Sequence, residues 1–114
     1  MTERERLAKM QEGWMKFAEV SPGVIESFGN MRAAACPEDG ALDFKTLELI
    51  SVAVAVARKC EPCMLSHVQC AVDAGVTREE LCAALNCAIL LCGGPGWAYS
   101  GMALEAFDDM SVNK

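Results

Sequence analysis

The chain of 114 residues carries a formal net charge of −6, is 53% hydrophobic and contains seven cysteines. At roughly 100–200 residues per domain the length fits one domain over residues 1–114, not a multi-domain enzyme, and the acidic balance argues against nucleic acid or an anionic membrane as partner. The longest apolar run, Leu49 to Ala57, is about half the roughly 18–20 residues of a membrane span, and MTERERLAKM lacks the apolar core of a secretory signal, so a soluble cytoplasmic protein is expected.

Helix formers dominate, and β-branched residues cluster only at Val52, Val54 and Val56, so the expected fold class is all-α, a compact bundle of about six helices. The first helix, about Glu5 to Val20, sets Leu7, Met10, Trp14 and Phe17 at helical spacing. Ser21 as cap and Pro22 at the first helical position open a second helix to about Ala35, with the stripe Val24, Ile25, Phe28 and Met31. Cys36-Pro37 and Asp39-Gly40 mark a loop. Asp43 caps a third helix from Phe44 to about Lys59, apolar nearly all round apart from Glu48 and Ser51 and therefore expected to be the most buried.

Cys60-Glu61-Pro62-Cys63 interrupts that helix, because proline disfavours a helical Glu61 and removes a backbone donor. A fourth helix runs from near Pro62 to Ala74, where Gly75 supplies a left-handed stop. Thr77 and Glu80 have the form of a capping box for a fifth helix to about Cys92. Gly93-Gly94-Pro95-Gly96 reads as a turn before a last helix, roughly Trp97 to Asp109. It lacks the ending of a phosphate loop. The high apolar fraction in so small a chain implies burial between subunits, hence a homo-oligomer.

The chemistry concentrates at one place. An odd set of seven cysteines in a reducing compartment is poorly read as a disulfide framework, and a Cys-x-x-Cys within it points to redox or metal chemistry. Cys63 falls in the first turn of the fourth helix, where free N–H groups and the helix dipole favour an anion and so a thiolate. His67, the only histidine, follows one turn later and can take the thiol proton or stabilise the thiolate. Cys60 is near enough in sequence to resolve a sulfenic acid or mixed disulfide on Cys63. A different reading is structural zinc held by Cys60, Cys63, His67 and Cys70, although three ligands on one helix make an awkward tetrahedron. Cys82, Cys87 and Cys92 recur every five residues, spiral around their helix and are expected to be small buried packing residues. Cys70 shares a face with His67, and Cys36 is a loop or core thiol.

Glu48, Cys60, Cys63 and His67 reproduce the Glu-x(11)-Cys-x(2)-Cys-x(3)-His pattern of the alkylhydroperoxidase AhpD-like proteins, and from about Phe44 to Asp109 the chain resembles that branch of the carboxymuconolactone decarboxylase superfamily. It is far shorter than the two-repeat founding peroxidase and has Glu61-Pro62 where that enzyme has a histidine beside the second cysteine. The resemblance implies an all-α fold, trimers or hexamers, and thiol-dependent reduction of a hydroperoxide or disulfide. By analogy Cys63 is the peroxidatic thiol, Cys60 the resolving thiol and proton donor, and Glu48 with His67 a proton relay. Electrons would come from an external dithiol donor, thioredoxin-like or lipoyl-bearing, with no bound cofactor needed. Lactone decarboxylation by acid–base chemistry, the superfamily's other activity, has no use for a vicinal thiol pair. Spacing alone supports Glu48 less well. In straight antiparallel helices Glu48 lies roughly 15 Å from the turn and His67 about 8–9 Å, a gap left for a water, a crossing angle or a neighbouring subunit to close.

Overall fold

The computed structural model describes residues 1–112, and among these every regular element is a helix: α1 Glu3–Val20, α2 Pro22–Ala35, α3 Phe44–Ala57, α4 Glu61–Asp73, α5 Arg78–Cys92 and α6 Gly94–Ser111. Helices α3 to α6 form a ring in which α3 and α6 each pack against both α4 and α5 and touch one another across the middle. Met64, Leu65, Val68, Ala71 and Val72 of α4 point into that ring at helical spacing. They meet Val52 and Val56 of α3, Leu81 and Leu85 of α5, and Ala103, Phe107 and Met110 of α6.

Helix α1 lies across α4 and α6 and inserts Leu7 into the core. Its start is fastened by the Arg4 N–H on Asp109 at 3.2 Å, by the Arg4 guanidinium on the Met110 carbonyl, and by an ion pair between Arg6 and Glu61. Helix α2 folds back on α1, reaches the ring with the long Arg32 side chain, and buries none of its side chains. The stripe of α1 is therefore closed only at Leu7 and Met10, and the rest of it and that of α2 stay open: Trp14 is 41% exposed, Phe17 60% and Phe28 65%.

Four expectations need correction. Helix α3 is not the most buried, because its outer edge faces an open groove against α5, and Ile50 and Val54 stand about half exposed there. Ser21 occupies the cap position of α2 but makes no side-chain cap hydrogen bond. Gly94-Pro95-Gly96 is the first turn of α6 rather than a loop, since proline is compatible with a helix start and the reversal is made at Gly93, with φ 68°. Gly96 is needed for packing instead: a Cβ there would meet the Ala88 carbonyl oxygen at 2.7 Å. Finally, Cys82 and Cys92 are only partly buried and Cys87 is exposed, because the inward face of α5 is Leu81, Leu85 and Ala88, and a five-residue repeat drifts off it.

Candidate active site

The turn from α3 into α4 builds the site. Helix α3 ends at Ala57 with Arg58 as its C-cap, Lys59 turns the chain, and Cys60 then takes the N-cap position of α4 with an extended backbone. The Cys60 sulfur accepts the Cys63 N–H at 3.3 Å, doing with sulfur what serine or aspartate does with oxygen at other helix starts. The two sulfurs are bonded to each other in a Cys60–Cys63 disulfide. Glu61 and Pro62 occupy the two helical positions between them, and Pro62 fits the first turn because no N–H is required there.

One turn beyond Cys63, the His67 Nδ1 lies 2.8 Å from Glu48 Oε2. Direct contact within one chain corrects the spacing argument. With the helix ends taken at Ala57 and Glu61, the axial mismatch shrinks to about 4–5 Å, within the length of an extended glutamate side chain. Glu48 is 1% exposed, and its other oxygen, Oε1, lies 3.9 Å from the Arg32 guanidinium of α2. A buried carboxylate flanked by an imidazole and a guanidinium has the partners that such a charge requires.

Arg32 is the residue that sequence reasoning missed. It is the only cation of α2 and follows Phe28 by one turn, a weak signal, since nothing in the spacing connects α2 to α3. Its guanidinium also reaches Cys70 Sγ at 3.5 Å, so Cys70 does stand beside the site, next to Glu48. Burial pushes the Cys70 thiol above its usual range, and the Glu48 carboxylate adds to the effect while Arg32 opposes it. Cys70 is therefore a neutral thiol at neutral pH and a poor nucleophile beside Cys63.

Two clefts reach the disulfide from different sides. One, of about 610 Å³, is walled by Trp14, Phe28, Met31 and Pro62 and exposes Cys63 and His67. The other, of about 550 Å³, is lined by Ile50, Val54, Arg58, Lys59 and both cysteines, with His67 again at its wall. Among the described residues no group of three or more His, Cys, Asp or Glu side chains is arranged to hold a metal ion. Glu48, Cys60, Cys63 and His67 are thus gathered at one locus, with Cys60, Cys63 and His67 open to the clefts and Glu48 buried behind the imidazole.

The sequence profile of the carboxymuconolactone decarboxylase family matches residues 22–106. An uncharacterised protein of Cupriavidus necator is 35% identical over 110 residues, which span 96% of each chain. The crystal structure of an apo carboxymuconolactone decarboxylase family protein from Legionella pneumophila superposes with a TM-score of 0.92 at 38% identity, covering 96% of each chain. A Thermotoga maritima family protein with a suggested involvement in an antioxidative response shares the fold at a TM-score of 0.81 and 20% identity, over 94% of this chain and 91% of that one.

Proposed function

The chain belongs to the carboxymuconolactone decarboxylase family, and from that premise we propose that it is a thiol-dependent oxidoreductase cycling Cys60 and Cys63 between dithiol and disulfide to reduce a hydroperoxide or a partner disulfide. The observation that carries the reading is the Cys60–Cys63 pair at the start of α4, one turn before an imidazole held by a buried carboxylate. With Glu48 ionised, Nδ1–H of His67 donates to it and Nε2 is left as the base, the arrangement that orients a catalytic imidazole.

In the peroxidase cycle the Cys63 thiolate attacks one oxygen of the hydroperoxide, the O–O bond breaks, and the alcohol leaves with a proton delivered through His67. Cys63 is then a sulfenic acid. Cys60 attacks its sulfur, water departs and the disulfide closes. An external dithiol donor, thioredoxin-like or lipoyl-bearing, returns two electrons and two protons. This cycle belongs in the reducing cytoplasm and calls for no bound cofactor. The open stripes of α1 and α2 and the groove between α3 and α5 are the surfaces we assign to contact between copies in a trimer or hexamer.

Cys63→Ser should abolish peroxide-dependent oxidation of a dithiol, while Cys60→Ser should leave a sulfenic acid on Cys63 that a dimedone-type trap captures in a mass spectrum. Retention of most activity by Cys63→Ser would falsify the nucleophile assignment. His67→Ala should slow the reaction by about 10²-fold or more.

A further inference from the structure

We propose that the cleft on the Cys60 side of the disulfide admits the reductant and selects a dithiol that carries a carboxylate, using Arg58 and Lys59. This rests on the redox reading above and adds to it the charge class of the electron donor.

The two clefts differ in chemistry and in which sulfur they expose. Cys63 is open to both, whereas Cys60 lines only the cleft that carries Arg58 and Lys59. Thiol–disulfide exchange goes fastest when the departing sulfur is the better-stabilised thiolate. Cys63 precedes His67 by one turn, and an imidazolium there can hold its departing thiolate, so the incoming thiolate attacks Cys60 Sγ, the sulfur that only this cleft exposes. The protein S–S bond breaks with its electron pair on Cys63, and a mixed disulfide joins Cys60 to the donor. The donor's second thiolate then attacks its own linked sulfur, closing the donor disulfide and releasing Cys60. Two electrons pass to the protein, and the two donor protons end on Cys60 and Cys63.

The rim of that cleft is cationic in a chain whose net charge is −6. Among the described residues neither Arg58 nor Lys59 is in an ion pair. Glu61, the acid nearest to them in sequence, pairs with Arg6 instead. Two exposed and uncompensated cations flank the sulfur that is to be attacked.

Backbone geometry gives a second, independent indication. Helices α3 and α4 end in the same way. Lys59 N–H bonds to the Val56 carbonyl and Cys60 N–H to that of Ala55, just as Gly75 bonds to Val72 and Val76 to Ala71. The left-handed position is glycine in α4, with φ 85°, but lysine in α3, with φ 56°, and Lys59 is the one non-glycine residue with positive φ among those described. Lysine there accepts a backbone strain that glycine would avoid, and it puts a cation at the rim of the cleft.

The test uses the oxidised full-length chain and two small 1,3-dithiols that close the same five-membered disulfide, anionic dihydrolipoate and neutral dihydrolipoamide, with disulfide reduction followed at low ionic strength. The readout is the ratio of the two rate constants, which cancels each reagent's intrinsic reactivity when variants are compared. In Arg58→Gln/Lys59→Gly the ratio should fall about tenfold, and in the wild type it should fall as salt screens the rim. Lys59→Gly should keep its melting temperature, since glycine suits the backbone there. Should the double variant not fold, the salt response of the wild type decides alone. A ratio unchanged by both substitution and salt overturns the proposal and leaves the redox reading intact. A disulfide that neither dithiol reduces overturns both.

Discussion

Helices α2 and α4 are nearly equal in length, 14 and 13 residues, both have proline in the first turn, and both carry an apolar stripe at helical spacing. Yet α4 buries Met64, Leu65, Val68, Ala71 and Val72, and α2 buries nothing. Periodicity reports that a helix has a face needing a partner. It does not report which element, or which copy of the chain, supplies that partner. The difference extends to function, because α4 brings Cys60, Cys63 and His67 as part of a packed ring, whereas α2 supplies Phe28 and Met31 to one cleft wall and meets the buried Glu48 through Arg32.

The sharpest way to break this comparison is to truncate an apolar residue on each helix. Leu65→Ala removes a fully buried side chain and should cost about 2–5 kcal/mol in urea-induced unfolding. Phe28→Ala removes an exposed one and should stay within about 0.5 kcal/mol for the isolated chain. A protein that assembles through α2 would instead lose mass in light scattering on Phe28→Ala, a readout that Leu65→Ala in folded protein should not share. Equal stability losses from both changes at concentrations where the chain is monomeric would refute the division.

Arg32 tests the one polar link between the two regions. Arg32→Ala leaves the buried Glu48 with His67 alone and should cost about 1–2 kcal/mol. That is less than for a fully buried pair, because the guanidinium is half exposed. Arg32→Lys should recover much of the stability, since a point charge can still reach the carboxylate, but not the hydrogen bond to Cys70. Thermal unfolding of the three proteins, with the alkylation rate of Cys70, separates the two contributions.

Most of the fold was legible because its signals are local: the capping box at Thr77, the glycine stop at Gly75, and the proline starts at Pro22 and Pro62. The four candidate site residues were legible as a spaced pattern, and His67 four residues after Cys63 is a statement about one helix. The Glu48–His67 contact was not, because it depends on where two helices end and how they meet, and a few residues of error in the pivot amount to several ångströms. Arg32 was hidden more deeply, since it meets Glu48 across two helices joined by no sequence period. The cysteines of α5 were misread because a small apolar residue was taken as inward, when half of that helix faces the open groove.

The smallest expected effect contrasts two hydroxyl residues at helix starts. In α5 the Thr77 side chain accepts the Glu80 N–H at 3.1 Å and the Glu80 carboxylate accepts the Thr77 N–H at 2.8 Å, a reciprocal box further tied to Lys45 at 3.0 Å. Ser21 at α2 makes no such bond. Thr77→Ala should therefore cost about 1 kcal/mol, and Ser21→Ala less than about half of that. The Thr77 N–H, with Lys45 beside it, holds the Glu80 carboxyl below its usual range. A carboxylate with a lowered folded value adds stability that is fully present above the ordinary carboxylate range and is lost as pH falls through the lowered value. Glu80→Gln preserves the box geometry without the charge, so it should flatten this part of the acid-unfolding curve while Ser21→Ala leaves that curve unchanged. If Ser21→Ala proved as costly as Thr77→Ala, the cap of α2 would be working in solution, and α2 would be held by more than its contact with α1 and the Arg32–Glu48 ion pair.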